Sequence, residues 1–132
     1  TDAQGVPLTA IFTPANTNDI TQLMPLVEGV PPIAGKVGHP KRKPELVQGD
    51  RAYDSNAHRQ ALTDQRIRTQ LARRYTKHGS GLGVTRWVVE RTISSLHQFR
   101  RLRVPFERRA DIHEAFLQLG CCLICWRFLR AA

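Results

Sequence analysis

The feature that most constrains the fold is an alternation of short β-rich segments with segments of helical periodicity. Leu46-Val47 and residues 67–72 have the composition and length of short strands. Helical patterns lie between and after them, one opened by Asp54 or Ser55 and one running from about Arg86 to Arg101. Strands that alternate with helices are typical of α/β proteins. The sequence therefore predicts an α/β fold.

The N-terminal part predicts a hairpin arm followed by a helix. Residues 6–13 are β-rich and follow the turn-forming residues 2–5, so we expect the second arm of a hairpin whose first arm would precede the sequence. Residues 16–19 offer N-caps for a helix that ends at Gly29 and that Pro25 should kink or shorten.

Two further segments have the residue types of loops. Residues 31–45 combine four prolines with Gly, Lys and Arg, which predicts a basic loop. Residues 79–83 are rich in glycine but lack the Gly-Lys-Ser/Thr ending of a phosphate-binding loop, so we expect a flexible connection.

Each of the last two helices is expected to bury an apolar stripe. In the first, the stripe consists of Val89, Ile93, Leu96 and Phe99. A capping-box signature over residues 111–114 opens the second helix. Its apolar side consists of Ile112, Phe116, Leu119, Leu123 and Trp126.

The charge of the chain indicates a polyanionic partner. The chain has 132 residues with 20 Lys and Arg against 11 Asp and Glu, a net charge of +9 with neutral histidines. Residues 1–35 carry −3 and residues 36–132 carry +12. Sixteen of the cations are Arg, which suits bidentate phosphate contact, so we expect nucleic acid as the partner.

The cysteines and the apolar residues argue against several other classes. Cys121, Cys122 and Cys125 lie too close together to form the disulfide framework of a secreted protein, which indicates a reducing cytosol. No Cys-x-x-C pair elsewhere completes a zinc site, so we expect small core residues. We expect neither a secretory signal nor a membrane span, because no apolar run approaches the roughly 20 residues that a bilayer requires.

Asp50 is a candidate metal ligand because it follows the short strand at Leu46-Val47. Ligands and metals gather at the carboxyl ends of strands in open α/β sheets, and a carboxylate there can bind Mg²⁺. A turn or helix N-cap is the more ordinary interpretation of Asp50. For Asp54, which directly precedes a helix, capping is a sufficient explanation.

Glu90 is a second candidate, since helical spacing places it on a polar face. That face consists of Arg86, Glu90, Ser94, His97 and Arg101. An ordinary Arg86–Glu90 surface pair is the alternative. Residues 66–109 contain 12 Lys or Arg and only two acids, so a carboxylate here is surrounded by positive charge and suits a metal shared with DNA phosphate.

Arginines and apolar residues interleave after this helix, a pattern that favours nucleic-acid contact over a merely solvated face. The arginines are Arg100, Arg101, Arg103, Arg108 and Arg109. The serines near His97 lack a strained turn or an oxyanion nest, which excludes a serine hydrolase.

Two motifs resemble those of the DDE transposases of bacterial insertion sequences, specifically insertion-sequence group five. The first is Gly49-Asp50-Arg51-Ala52-Tyr53-Asp54-Ser55. The second is Arg86-Trp-Val-Val-Glu90-Arg91-Thr-Ile-Ser-Ser-Leu-His97. The likeness extends over essentially the whole chain, including residues 2–8, 16–19 and 99–103.

The resemblance implies roles for individual residues. The Asp that heads the family's Asp-x-Gly/Ala-Tyr motif is its second catalytic carboxylate and corresponds to Asp50. The Glu of its Tyr-x₂-Arg-x₃-Glu-x₆-Lys signature is the third and corresponds to Glu90, with Arg86 at the position of the signature Arg. The Tyr and Lys positions are occupied by Gly83 and His97, and a protonated His97 can contact phosphate.

The resemblance also implies a ribonuclease-H-like fold, that is, a mixed sheet flanked by helices, incomplete at its N-terminal strand and helical at its C-terminal end. Residues 1–132 would form the C-terminal part of a single catalytic domain that uses Mg²⁺ or Mn²⁺. The family's first catalytic Asp would precede the sequence, so we expect the chain alone to bind DNA weakly and not to cleave it.

The implied partners are double-stranded DNA at the element ends and at the target, an N-terminal transposase portion and further copies of the chain, with no membrane. The implied location is the bacterial cytoplasm, at the nucleoid. A non-catalytic basic DNA-binding module or a truncated transposase relic is the alternative. A ribosomal-type RNA-binding protein ranks last, because such a protein normally favours Lys as well as Arg.

Overall fold

A computed structural model describes residues 1–75, 83–104 and 106–131, with the backbone alone at Ala34 and at residues 83–86. The chain divides into two compact units. One is Ala15–Leu82, and the other combines Thr1–Pro14 with Gly83–Ala132. Of the connection predicted at residues 79–83, all but Gly83 lies outside the described residues, and Gly83 begins a helix.

The Ala15–Leu82 unit begins with two short helices where one was predicted. A 3₁₀ helix, Asp19–Gln22, leads into α1, Leu23–Glu28, and Gly29 ends it as expected. The Asn18 side chain accepts a hydrogen bond from the Ile20 N–H at 3.3 Å, which confirms the predicted cap. Pro25 lies in the first turn of α1, where its missing N–H costs least, so the proline explains why the helix is shortened.

The predicted basic loop instead contains a β-hairpin. β1, Ile33–Lys36, pairs antiparallel with β2, His39–Lys41, around a two-residue turn in which Gly38 has φ +78°. Pro40 lies in β2, and proline is tolerated in an edge strand although it donates no ladder hydrogen bond. The prolines were therefore misleading as loop signals over this segment.

The core of this unit is a β-α-β arrangement that the sequence predicted. β3, Leu46–Gly49, and β4, Arg68–Leu71, pair in parallel, and α2, Asn56–Asp64, connects them. Parallel strands require such a crossover because a tight turn cannot join them. The core consists of buried residues from three elements and from the residue just before β4. They are Leu23 and Val27 of α1, Leu62 of α2, Ile67 before β4 and Leu71 of β4.

α2 ends in a Schellman motif. The N–H of Arg66 donates to the Thr63 carbonyl at 2.8 Å, and the N–H of Ile67 donates to the Leu62 carbonyl at 2.9 Å. Arg66 adopts a left-handed backbone with φ +61°, a conformation that glycine usually supplies at this position. The motif turns the chain so that Ile67 and Leu62 meet in the core.

The second unit is helical apart from its N-terminal segment. Its helices are α3, Gly83–His97, α4, Arg100–Arg103, and α5, Ala110–Ala131. The helix predicted from Arg86 to Arg101 thus starts earlier and stops at His97. Residues 6–13, which were predicted to form the second arm of a hairpin, form no strand within the described structure.

The turn at residues 2–5 docks this N-terminal segment onto α3. The Asp2 carboxylate accepts hydrogen bonds from the N–H groups of Gln4 and Val6, both at 2.9 Å, which confirms the predicted turn. The Thr92 hydroxyl, which is buried, donates to the Gly5 carbonyl at 2.7 Å. The turn therefore covers α3 on the helix face that includes Thr92.

The predicted stripe of α3 is wrong at its first two residues, whereas Leu96 and Phe99 are half-buried and lie close to Gly120 of α5. Val88 and Thr92 are buried, whereas Val89 and Ile93 are 47% and 46% exposed. The buried face includes a polar residue because the Thr92 hydroxyl has a hydrogen-bond acceptor there.

The predicted face of α5 is also wrong, because the buried residues of α5 are Gly120 and Ile124. A Cβ built on Gly120 would lie 3.1 Å from both Leu96 and Leu102, so the absent side chain lets α3 and α4 approach α5 closely. The predicted stripe lies outside this contact and is exposed at Ile112, Leu119, Leu123 and Trp126.

Two smaller predictions about α5 also fail. The helix begins at Ala110, so Asp111 lies in its first turn and pairs with Arg109 instead of forming a capping box. Cys122 is exposed and the other two cysteines are half-buried, so they are not core residues. By length and composition alone α5 could cross a bilayer, because alanine, glycine and cysteine extend its apolar run. Core helices of other proteins share this length and composition.

Candidate functional site

Asp50 lies where β3 ends, at the carboxyl edge of the parallel pair. Its side chain is exposed and accepts a hydrogen bond from the Ala52 N–H at 2.9 Å, which caps a 3₁₀ helix at Arg51–Tyr53. The ordinary interpretation as a cap is therefore correct. A carboxylate offers about four lone-pair positions, so one capping bond leaves room for a metal ligand.

The backbone beside Asp50 is closely packed. A Cβ built on Gly49 would lie 2.8 Å from the Leu71 side chain on β4, so this position accepts no larger residue without movement. Tyr53 packs against the core. Burial is the main cause that raises the pKa of its phenol, and the negative charges of Asp19 and Asp50 raise it further. The strand end that presents Asp50 is thus fixed by packing on both sides.

Asp54 does not cap α2, contrary to the sequence-based interpretation. Its carboxylate accepts from Arg59 Nε at 3.0 Å and Nη2 at 2.6 Å, and from the Arg74 N–H at 2.7 Å. The Arg74 and Arg59 hydrogen bonds hold the pKa of this carboxyl below its usual range. Ser55 is the N-cap residue of α2, without a side-chain capping bond.

The same arginines bind the backbone around the Asp50 turn. Arg74 donates to the carbonyls of Arg51 at 2.9 Å and Ala52 at 3.0 Å, and Arg59 donates to the Leu71 carbonyl at 2.9 Å. Together with Asp54 they join the segment after β3 to the segment after β4. We call Asp54, Arg59 and Arg74 the strand-end clamp. Sequence reasoning missed it, although Arg73-Arg74 directly after a strand was a visible signal.

Glu90 lies on α3 with its side chain exposed. The next residues anchor this helix, since Arg91 donates to the Gln4 carbonyl at 2.7 Å and stacks over Trp87 at 4.8 Å. The side chain of Arg86 lies outside the described structure, so the proposed Arg86–Glu90 pair is not described. Asp50 and Glu90 belong to different units, and each is therefore described within its own unit.

The polar face predicted around Glu90 is shorter than expected. Ser94 and His97 lie on α3 and are exposed, but α3 ends at His97 and Arg101 belongs to α4. Arg101 instead pairs with Glu107 and stacks over the Phe116 ring at 4.9 Å.

The other candidate DNA-contacting arginines are all exposed. Arg100 stacks over Phe106 at 5.5 Å, and Arg109 donates to the Asp111 carboxylate at 3.0 Å. Within the described part of the chain, Arg103 and Arg108 have no ion pair or side-chain hydrogen bond. Among the five candidate arginines, these two guanidinium groups are therefore the most available to an external phosphate.

The described residues contain no group of three or more His, Cys, Asp or Glu that could hold a metal ion. Asp50 and Glu90 nevertheless have the donor chemistry that Mg²⁺ prefers, since both are carboxylate residues at exposed positions. A complete metal site would need further ligands.

The sequence model of the transposase DDE domain matches residues 1–126. The chain belongs to this family. It is similar to a protein of Burkholderia cepacia described as a transposase for insertion sequence element IS402, with 63% identity over all 132 residues. It is also 32% identical, over 117 residues, to a transposase for insertion sequence element IS1106 of Neisseria meningitidis serogroup B. No solved structure matches the chain.

The chain is shorter than these relatives. It spans 63% of the length of the Burkholderia protein, and its match to the Neisseria transposase covers 80% of the chain and 37% of that protein. The family membership confirms the resemblance to bacterial insertion-sequence DDE transposases. The observed mixture of helices and small sheets agrees with the predicted α/β class.

Proposed function

We propose that this chain is the C-terminal part of the ribonuclease-H-like catalytic domain of an insertion-sequence DDE transposase. Completed by an N-terminal portion, it would cleave DNA at the element ends and join those ends to a target. The observation that carries the proposal is the position of Asp50 at the carboxyl end of a parallel strand, within a chain that belongs to the DDE family.

In this proposal Asp50 and Glu90 bind Mg²⁺ or Mn²⁺ together with a carboxylate from the N-terminal portion. Such ions, when bound, activate the attacking oxygen and offset charge on the phosphodiester and on the leaving oxygen. The strand-end clamp holds the turn that presents Asp50, and the Gly5–Thr92 contact anchors the helix that presents Glu90.

DNA contact is assigned to the basic residues of the second unit. Exposed arginines at 100, 101, 103, 108 and 109 would bind backbone phosphates, with Arg86 and His97 contacting phosphate nearer Glu90. Phosphate contacts orient the DNA but do not read its sequence, so recognition of the element ends requires other contacts. We place this activity in the bacterial cytoplasm, where the DNA is.

A cleavage assay on DNA that carries the element's terminal repeats tests the proposal. We expect no strand scission by the 132-residue chain, and scission with Mg²⁺ or Mn²⁺ by a protein extended at its N-terminus to the relatives' length. In the extended protein Asp50→Asn and Glu90→Gln should abolish scission while DNA binding persists. Asp64→Asn and Glu28→Gln, at exposed positions elsewhere, serve as matched controls.

The second candidate is a basic DNA-binding module without a metal site, or a relic of a transposase. The net charge of +12 over residues 36–132 favours this second candidate, because a basic surface binds DNA phosphates whether or not a catalytic group is present. Unchanged scission by the extended Glu90→Gln protein, or scission by the isolated chain that depends on Asp50, would contradict the role that we propose for the chain.

A further inference from the structure

The hairpin formed by β1 and β2 is exposed on both of its faces. Every residue from Ile33 to Lys41 whose burial is described is exposed, and Val37 in the turn is fully exposed. The core of the Ala15–Leu82 unit, as far as its residues are described, comes from other elements. A two-stranded hairpin is only marginally stable by itself in water, so this exposure indicates a surface that meets a partner.

The charge of the hairpin and its flank is entirely positive. Residues 33–43 include no acid and four cations, which are Lys36, Lys41, Arg42 and Lys43. Lys41 pairs with Glu45. Within the described part of the chain, Lys36, Arg42 and Lys43 have no ion pair or side-chain hydrogen bond. Three cations therefore remain available to a polyanion.

The strand register gives the hairpin two unlike faces. Cross-strand partners share a face, so Lys36 lies beside His39 on one face and Gly35 lies beside Pro40 on the other. A Cβ built on Gly35 would lie 2.8 Å from the His39 carbonyl oxygen, so this position accepts no side chain without movement. One face therefore has hydrogen-bond donors, and the other has no long side chain.

The dimensions of the hairpin fit the major groove of duplex DNA. Two strands side by side occupy about 10 Å, whereas the major groove is about 12 Å wide. The four residues of β1 span about 13 Å, which exceeds the groove depth of about 8.5 Å. The minor groove, about 6 Å wide, does not admit two strands unless it is widened.

Prolines lie on both sides of the hairpin. Pro31 and Pro32 precede β1, and Pro44 follows Lys43. Because proline fixes φ, these residues restrict the directions in which the hairpin leaves the rest of its unit. An element that is restricted before binding loses less conformational entropy when it binds. The prolines therefore suit a hairpin that is preorganised for a partner.

We propose that the β1–β2 hairpin inserts into the major groove of duplex DNA. Lys36 and His39 donate to acceptors on the base edges, and Val37 contacts thymine methyl groups. Arg42 and Lys43, which lie beyond β2, bind the flanking phosphates. The inference rests on the proposed function in taking DNA as the partner, and it supplies base contacts that the arginines of the second unit do not.

Fluorescence anisotropy of the 132-residue chain with two duplexes of one sequence tests the insertion. One duplex contains ordinary cytosine, and the other contains glucosylated hydroxymethylcytosine, which fills the major groove and leaves the phosphates unchanged. We expect the native chain to bind the glucosylated duplex at least about 5-fold more weakly. Lys36→Ala and Val37→Asp should each bind the ordinary duplex at least about 5-fold more weakly and discriminate less between the two duplexes.

Two matched controls separate groove contact from general charge. Arg127→Ala removes one exposed positive charge on α5, and Val37→Ser changes the turn without adding a charge. Both should retain the discrimination between the duplexes. Urea midpoints of all four variants should equal that of the native chain, because the substituted side chains are exposed.

The outcomes distinguish this inference from the proposed function. Equal binding of the two duplexes by the native chain overturns the insertion, as do hairpin variants that lose no more affinity than Arg127→Ala. Either result leaves the DNA contacts of the second unit intact, and Arg103→Ala still tests those contacts. A native chain that binds neither duplex at low salt contradicts the DNA contacts of both proposals.

Duplex RNA is the competing partner, because its phosphates also attract cations. The major groove of an A-form RNA helix is too narrow for side chains to read. Lys36→Ala should therefore weaken binding to an RNA duplex less than binding to the DNA duplex. A larger loss on RNA overturns the proposal in favour of RNA.

Discussion

Asp50 and Asp54 lie four positions apart in one motif and have different surroundings. Asp50 is exposed and makes one short-range capping bond, whereas the Asp54 carboxylate lies against two arginines. The position of Asp50 was predictable because it depends on where a local strand pattern ends. The role of Asp54 was not, because Arg74 is twenty residues further along the chain and reaches Asp54 only after β4 has paired with β3.

Asp54→Asn should destabilise the fold. The side chain is 17% exposed and its charge strengthens the hydrogen bonds from Arg59 and Arg74, so we expect the free energy of unfolding to fall by about 2 kcal/mol. Urea denaturation measures the change. Asp64→Asn is the control and should change stability little, because this carboxylate is exposed and, among the described residues, accepts only from the Gln60 side chain.

The same carboxylate should make the stability acid-sensitive. Because folding lowers the pKa of Asp54 below its ordinary value of 3.8, its contribution is present above about pH 4 and is lost as the pH falls through the lower folded value. Urea midpoints measured from neutral pH downwards should fall less steeply for Asp54→Asn than for the native chain. Parallel pH curves would show that Asp54 does not contribute.

Gly5 and Gly38 form a matched pair for testing backbone strain against packing. Both have positive φ, +93° and +78°, but a Cβ on Gly5 would lie 3.1 Å from the Thr92 hydroxyl, whereas one on Gly38 meets nothing within 4 Å. Gly38→Ala should lower the free energy of unfolding by about 1 kcal/mol and Gly5→Ala by about 2. Thermal or urea unfolding measures both, and equal losses would contradict the steric role of Gly5.

At the scale of elements, the sequence predicted which segments are helical better than which sides they bury. α2, α5 and the strands β3 and β4 follow local apolar patterns, and each was confirmed. The buried sides depend on neighbours that local periodicity does not include. Thr92 is buried because a distant turn supplies an acceptor, and Gly120 is buried because its missing side chain admits Leu96 and Leu102.

The end of α2 offers a stabilising substitution. Arg66 has φ +61° in the Schellman motif, so Arg66→Gly should relieve strain and raise the free energy of unfolding by about 1 kcal/mol. Gln65, one residue earlier, has φ −80°, so Gln65→Gly gains no such relief and should lower stability. Urea denaturation of both variants checks the prediction, and a loss of stability in Arg66→Gly would contradict it.

At the scale of the whole molecule, the composition predicted the net charge but not which arginines are available to contact DNA. From the sequence, the arginines after α3 could not be distinguished. In the structure, Arg101 and Arg109 have acidic partners within the chain. Those partners, Glu107 and Asp111, compensate part of the charge. We therefore expect only some of these arginines to contact phosphate strongly.

We expect two substitutions, Arg103→Ala and Arg108→Ala, each to lower the affinity for DNA and to make that affinity less dependent on salt concentration. Each phosphate contact contributes about 0.9 to the slope of log affinity against log salt, so each variant should lower the slope by about that amount. Arg109→Ala, whose guanidinium already pairs with Asp111, is the control and should change the slope less. Fluorescence anisotropy with a duplex over a salt series measures the three slopes. Equal slopes would contradict the distinction.

The pairing of β3 with β4 alone has a consequence for the behaviour of the chain at high concentration. Within the described residues each of these strands has one hydrogen-bonded neighbour, so each leaves its other row of backbone N–H and C=O groups without a strand beside it. Open edges of this kind accept any extended peptide, including one from an unfolded copy, and are a common start of fibril growth. We therefore expect strand addition at these edges to be one route of aggregation in concentrated or partly unfolded samples of this chain.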